Sequence, residues 1–96
     1  MNFELVRVIR TPYSERFLLR SDKQDRAALE LHYLLSGRVD GTLILFEDQG
    51  IAEADVSGIL SHIDEVLLPD VSVARQNLSF TVVVGRPLGA FLPDAT

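Results

Sequence analysis

The spacing of hydrophobic residues changes once along this chain, and that change limits the folds open to it. Apolar side chains recur at about every second position in four early segments, residues 3–10, 15–21, 27–35 and 41–48. Alternation of this kind is typical of β-strands with one buried face. Between residues 52 and 67 the spacing becomes helical and Pro69 follows, which predicts one helix and its end.

A β-branched segment at residues 78–84 follows the helix and predicts a fifth strand. The order β-β-β-β-α-β predicts an α+β fold. We expect a five-stranded, mainly antiparallel sheet with one helix, at about residues 52–67, packed on one face. A single domain should span residues 1–85, followed by a C-terminal loop or extended arm at residues 86–96.

The lengths of the loops predict which side chains share a face, because a shift of one residue turns a whole strand over. We predict a four-residue loop at Thr11–Ser14, a three-residue loop at Lys23–Asp25 and a two-residue turn at Gly37-Arg38. The resulting helix-side rows are Val6, Leu19, Leu29 and Phe46, and Val8, Phe17, Leu31 and Ile44. The last strand should add Leu78, Phe80, Val82 and Val84 to this core.

The position of the last strand depends on how the chain crosses the sheet after the helix. We expect it beside strand 3–10 in antiparallel orientation. The alternative is a parallel pairing with strand 41–48, which requires a right-handed crossover.

Leucines and charged residues alternate on the opposite face of the predicted sheet. The candidate ligand or interface residues there are Arg7, Arg16, Leu18, Glu30, His32, Leu43 and Leu45. Three interpretations are open: a solvated surface covered by arginine stems, a homodimer interface, or a small-molecule anion site around Arg16, Glu30 and His32. We adopt a non-catalytic binding domain that dimerises through this face, with an anion-binding or enzymatic subunit as the alternative.

Charge is distributed unevenly along the chain. The formal net charge is −5, and residues 39–74 carry eight acidic and no basic side chains. This balance disfavours nucleic acid as a partner, since such binding uses Lys and Arg against phosphates. The candidates for an acidic patch that faces a basic protein partner are Asp55, His62, Asp64, Glu65 and Asp70. The alternative is that Arg75 or another arginine meets these acidic residues within the fold.

The sequence predicts no catalytic site, metal site or cofactor. His62 and Glu65 form the one pair of metal-ligand types at helical spacing, and two ligands are too few. The absence of cysteine fits a reducing compartment. Charged residues interrupt the opening MNFELVRVIR, and no apolar stretch is long enough to span a membrane. We therefore expect a soluble, cytoplasmic protein with no membrane partner.

Overall fold

A computed structural model describes residues 3–67, 78–86 and 88 of the chain, and it confirms the predicted α+β fold. The elements are β1 (Glu4–Thr11), β2 (Ser14–Ser21), β3 (Gln24–Tyr33), β4 (Val39–Phe46), a 3₁₀ turn (Glu53–Asp55), α1 (Val56–Leu67) and β5 (Leu78–Gly85). Across the described ranges, no helix has the length and apolarity needed to cross a membrane. The predicted arm lies outside them except for Arg86 and Leu88, and so does Asp70.

The strands lie in the sheet in the same order as in the chain, from β1 to β5. The first four form an antiparallel meander, whereas β5 pairs in parallel with β4. The expected position of β5 beside β1 is therefore wrong, and the alternative beside β4 is the one found. The connection through α1 returns the chain to the starting end of β4, and this makes the last pair parallel.

The β3–β4 connection is longer than predicted and reverses the faces of β4. Five residues, 34–38, form the loop, with Gly37 in the left-handed region at φ 91°. Leu31 consequently pairs with Gly41 instead of Ile44, a shift by an odd number of residues. Leu43 and Leu45 are buried at 0% and 3% exposure, so their predicted place on the outer face is wrong.

The same shift in register moves the alternate side chains of β4 to the outer side of the sheet, contrary to the prediction. Ile44 and Phe46, predicted in the core, alternate with the buried leucines and lie half-buried on the face away from the helix.

A β-bulge at Val8 reverses the faces of the first half of β1. Ile9 pairs with Arg16, as the predicted loop at Thr11–Ser14 requires, but the register shifts between Arg7 and Ile9. Arg7 therefore lies on the helix side of the sheet, and Val6 lies on the other side. The predictions that placed Arg7 outside and both Val6 and Val8 in the core are wrong, and Val8 is 51% exposed.

The β2–β3 hairpin keeps its predicted faces despite a different turn. Asp22-Lys23 forms a two-residue turn with φ values of 53° and 64°, the left-handed pair typical of a tight hairpin. Phe17 pairs with Leu29 instead of Leu31. This difference of two residues preserves parity, and all three side chains are buried as predicted.

The core lies between the sheet and α1, which contributes Ile59 and Ile63 one helical turn apart. Its buried members are Phe17, Leu19, Ala27, Leu29, Leu31, Val39, Leu43, Leu45, Ile59, Ile63 and Leu78. Beyond Leu78 and the half-buried Phe80, β5 is less covered than predicted. Val82 and Val84 are 39% and 66% exposed.

Candidate functional site

A continuous row of apolar side chains crosses the outer face, the face of the sheet that lies away from α1. The strand registers join one residue of each strand to the next through four successive pairs. We call these residues the apolar row: Val6, Leu18, Ala28, Ile44 and Val83. The first four are half-buried and Val83 is 43% exposed, although no described element packs over them.

Two ion pairs flank the apolar row. On one side, Arg16 Nε and Nη2 donate to Glu30 Oε1 at 2.9 and 2.5 Å. On the other side, Arg20 Nε lies 2.9 Å from Asp25 Oδ1. Each arginine is thus paired with a carboxylate from the neighbouring strand on the same face. The apolar row itself contains no charged side chain.

The predicted residues of the outer face are only partly brought together. Leu18 belongs to the apolar row, and Arg16 and Glu30 lie beside it on the same face. His32 is exposed near its edge, where it pairs with Asp40 of β4 and Ser14 of β2. Sequence reasoning assigned Val6 and Ile44 to the core, and it did not single out Ala28 or Val83 as candidates.

The geometry gives little support to an anion site around Arg16, Glu30 and His32. The depression that they border has a volume of about 60 Å³, which is space for one or two water molecules. Both hydrogen bonds of Arg16 already go to Glu30. The role of these residues as ligands stays a prediction.

The described residues of the predicted acidic patch lie on different sides of the helix and do not form one surface. Asp55 and His62 are seven residues apart, which places them on one side of α1, and both are exposed. Asp64 is nine residues from Asp55, about half a turn around the helix, and it is half-buried. Asp55 also accepts a hydrogen bond from the Ala52 N–H at 2.9 Å, so its carboxylate helps to begin the helix.

A second set of polar side chains, which the sequence analysis did not predict, surrounds Glu15 on the helix side of the sheet. We call it the arginine cluster: Arg7, Arg10, Glu15 and Tyr33. Arg7 Nη2 lies 2.9 Å from Glu15 Oε1 and Arg10 Nη1 lies 3.0 Å from Oε2. The Tyr33 hydroxyl donates to Oε2 as well. Glu15 is 7% exposed, and a carboxylate so buried requires partners of this kind.

The environment of Tyr33 disfavours ionisation of its phenol. Burial raises the pKa of Tyr33 above its ordinary value of 10.0, and the hydrogen bond to Glu15 and the negative charge of Glu15 raise it further. Arg10 opposes these effects. The phenol therefore stays protonated, and a hydrogen-bond donor, over the whole neutral range.

This pKa predicts how stability depends on alkaline pH. The unfolded chain loses the Tyr33 proton near pH 10 while the folded chain keeps it, so the folded state binds more protons and stability should fall as the pH rises above about 10. Tyr33→Phe should remove this part of the decline. Urea denaturation of both proteins between neutral and strongly alkaline pH measures the difference, and parallel curves would contradict the expectation.

Within the residues described, no group of three His, Asp or Glu side chains is placed to hold a metal ion. Comparisons with known protein families, with curated proteins and with solved structures found no match to this chain.

Proposed function

We propose that this protein is a small, non-catalytic binding domain that associates with a second copy of itself through the outer face. The apolar row carries the proposal, because all five strands contribute to one uncharged band. Contiguous apolar surface flanked by polar residues is typical of protein interfaces. Two such sheets would pack face to face at about 10 Å, as in a β-sandwich.

The charges beside the row favour a second copy as the occupant. Arg16–Glu30 and Arg20–Asp25 are ion pairs within one protomer. A twofold copy would therefore bring these two neutral pairs against neutral pairs. A strongly charged partner would gain little from such a face.

The size of the face is also close to what a dimer needs. Five strands at about 4.8 Å and eight residues at about 3.4 Å give a surface of roughly 650 Å². Specific interfaces bury about 800 Å² on each partner. Contacts at the rim of the sheet would supply the remainder.

Ile44→Asp tests the dimer because Ile44 lies within the row. A twofold interface would place two carboxylates in apolar surroundings, so the dissociation constant should rise by about tenfold or more. Sedimentation equilibrium over a wide concentration range measures the mass, and circular dichroism checks that the fold is retained. Val83→Asp, at a more exposed position of the same row, provides a second variant should Ile44→Asp unfold.

Val66→Asp is the matched control. Val66 is 54% exposed on α1, on the other side of the sheet, and its substitution should leave the mass unchanged. A wild-type chain that stays monomeric at high concentration would refute the proposal. So would a Val66→Asp protein that dissociates as readily as Ile44→Asp.

Two sequence expectations accompany this proposal. We place the protein in the cytoplasm, supported by the absence of cysteine. A basic partner for the acidic residues of α1 stays a prediction, and Asp55, His62 and Glu65 are the exposed side chains that would meet it.

A further inference from the structure

The arginine cluster owes its geometry to the bulge at Val8. Arg7 and Arg10 are three residues apart, an odd spacing that puts side chains on opposite faces of a regular strand. The bulge adds one residue between them, so Arg7 pairs with Phe17 and Arg10 with Glu15, both on the helix side. Bulges that redirect a side chain recur beside functional sites.

Both guanidinium groups are held in place and still have donors to offer. Arg7 Cζ lies 5.5 Å from the centre of the Phe17 ring, and Arg10 Cζ lies 5.5 Å from that of Tyr33. Stacking of this kind fixes the plane of a guanidinium. Each group has five N–H donors, and the ion pair with Glu15 engages one nitrogen of each.

The cluster is also open and positively charged. The side chains of Arg7 and Arg10 are 58% and 52% exposed. They border a shallow depression of about 490 Å³ together with Pro12, Glu15 and Tyr33. Two arginines against one glutamate leave a local charge of +1 in a chain whose net charge is −5.

We propose that this depression binds an oxyanion, a phosphate or carboxylate group, through the free N–H donors of Arg7 and Arg10. Glu15 pairs with both guanidiniums and leaves their outer N–H edges toward solvent, while its negative charge opposes a bound anion. Arginine pairs suit oxyanions since their forked N–H groups match the spacing of the oxygens. The site lies on the opposite side of the sheet from the apolar row, so it does not depend on the proposed dimer.

Titration with inorganic phosphate and, separately, with acetate tests the site. The Nε–H resonances of ¹⁵N-labelled arginine report binding, with ionic strength held constant by sodium chloride. We expect saturable shifts of the Arg7 and Arg10 signals, and about tenfold weaker binding in Arg7→Gln or Arg10→Gln. The anion that binds with the higher affinity shows whether the site prefers a phosphoryl group or a carboxylate.

Two further variants separate binding from structure. Arg20→Gln is the matched control, because the Arg20 side chain is 42% exposed and paired with an aspartate, but on the outer face. It should leave the affinity unchanged. Glu15→Gln raises the local charge to +2, and the added charge should tighten binding roughly three- to tenfold; a purely structural ion pair would show no such gain.

The proposal fails if neither anion gives saturable shifts, or if Arg20→Gln weakens binding as much as Arg7→Gln. It also fails if a folded Glu15→Gln protein binds no more tightly than the wild type. Should Glu15→Gln not fold, the comparison of Arg7→Gln and Arg10→Gln with Arg20→Gln decides alone. None of these outcomes depends on the mass of the protein, so loss of the dimer and loss of this site are distinguishable.

Discussion

Replacing Leu43 by alanine is expected to lower the free energy of unfolding by about 2–5 kcal/mol, as removal of a buried leucine side chain usually does. Leu43 has no exposed surface and lies between Leu29 of β3 and Val82 of β5. The cavity left by alanine cannot be filled by close-packed neighbours without further rearrangement. Denaturation by urea, at concentrations where the chain is monomeric, measures the change.

Ile44→Ala is the control for the register of β4. Ile44 is the next residue along the strand and lies half-buried on the outer face, so its truncation in the monomer should cost about 1 kcal/mol or less. Equal costs at the two positions would show that the faces of β4 are not separated as the structure has them.

A second large effect is expected from Gly41→Val, at about 1–3 kcal/mol. Gly41 is buried on β4, and the ring of Phe80 on β5 occupies the space that a Cβ would need. Any side chain at this position must displace the ring and loosen the contact between the two strands. Urea denaturation gives the total loss, and amide hydrogen exchange should show β5 losing protection ahead of β2 and β3.

Thr42→Val introduces the same branched side chain one residue away. Thr42 lies on the outer face, so this change should alter stability by about 0.5 kcal/mol or less. If Gly41→Val proves no costlier than Thr42→Val, the Phe80 ring does not lie over Gly41.

The elements of the fold could be predicted from the sequence because their periods differ. The four alternating segments form strands in the structure, and the segment with helical spacing after residue 52 contains the helix. Register could not be predicted equally well, because it depends on loop lengths. Ser36-Gly37-Arg38 suggested a two-residue turn, whereas the loop spans residues 34–38, and the apolar side chains on both sides of β4 fit either face.

The arginine cluster was missed for a related physical reason. Sequence spacing assigns Arg7 and Arg10 to opposite faces, and the bulge that unites them has no glycine or other marker at Val8. Glu15 was assigned to the start of a strand, with nothing in the pattern to indicate that it would be buried. For the outer face, Leu18, Arg16 and Glu30 were identified, because β2 and β3 kept their predicted parity.

The strands lie in the sheet in the same order as in the chain, and this order also affects how the sheet assembles. The three hairpins close loops of two to five residues, so each of the first four strands meets its neighbour with little loss of chain entropy. β5 reaches β4 only across residues 47–77, and each doubling of a loop adds about 0.6 kcal/mol to the cost of closing it. We expect the meander to form first and β5 to join it last, which makes the parallel pair the place where the folded sheet first opens.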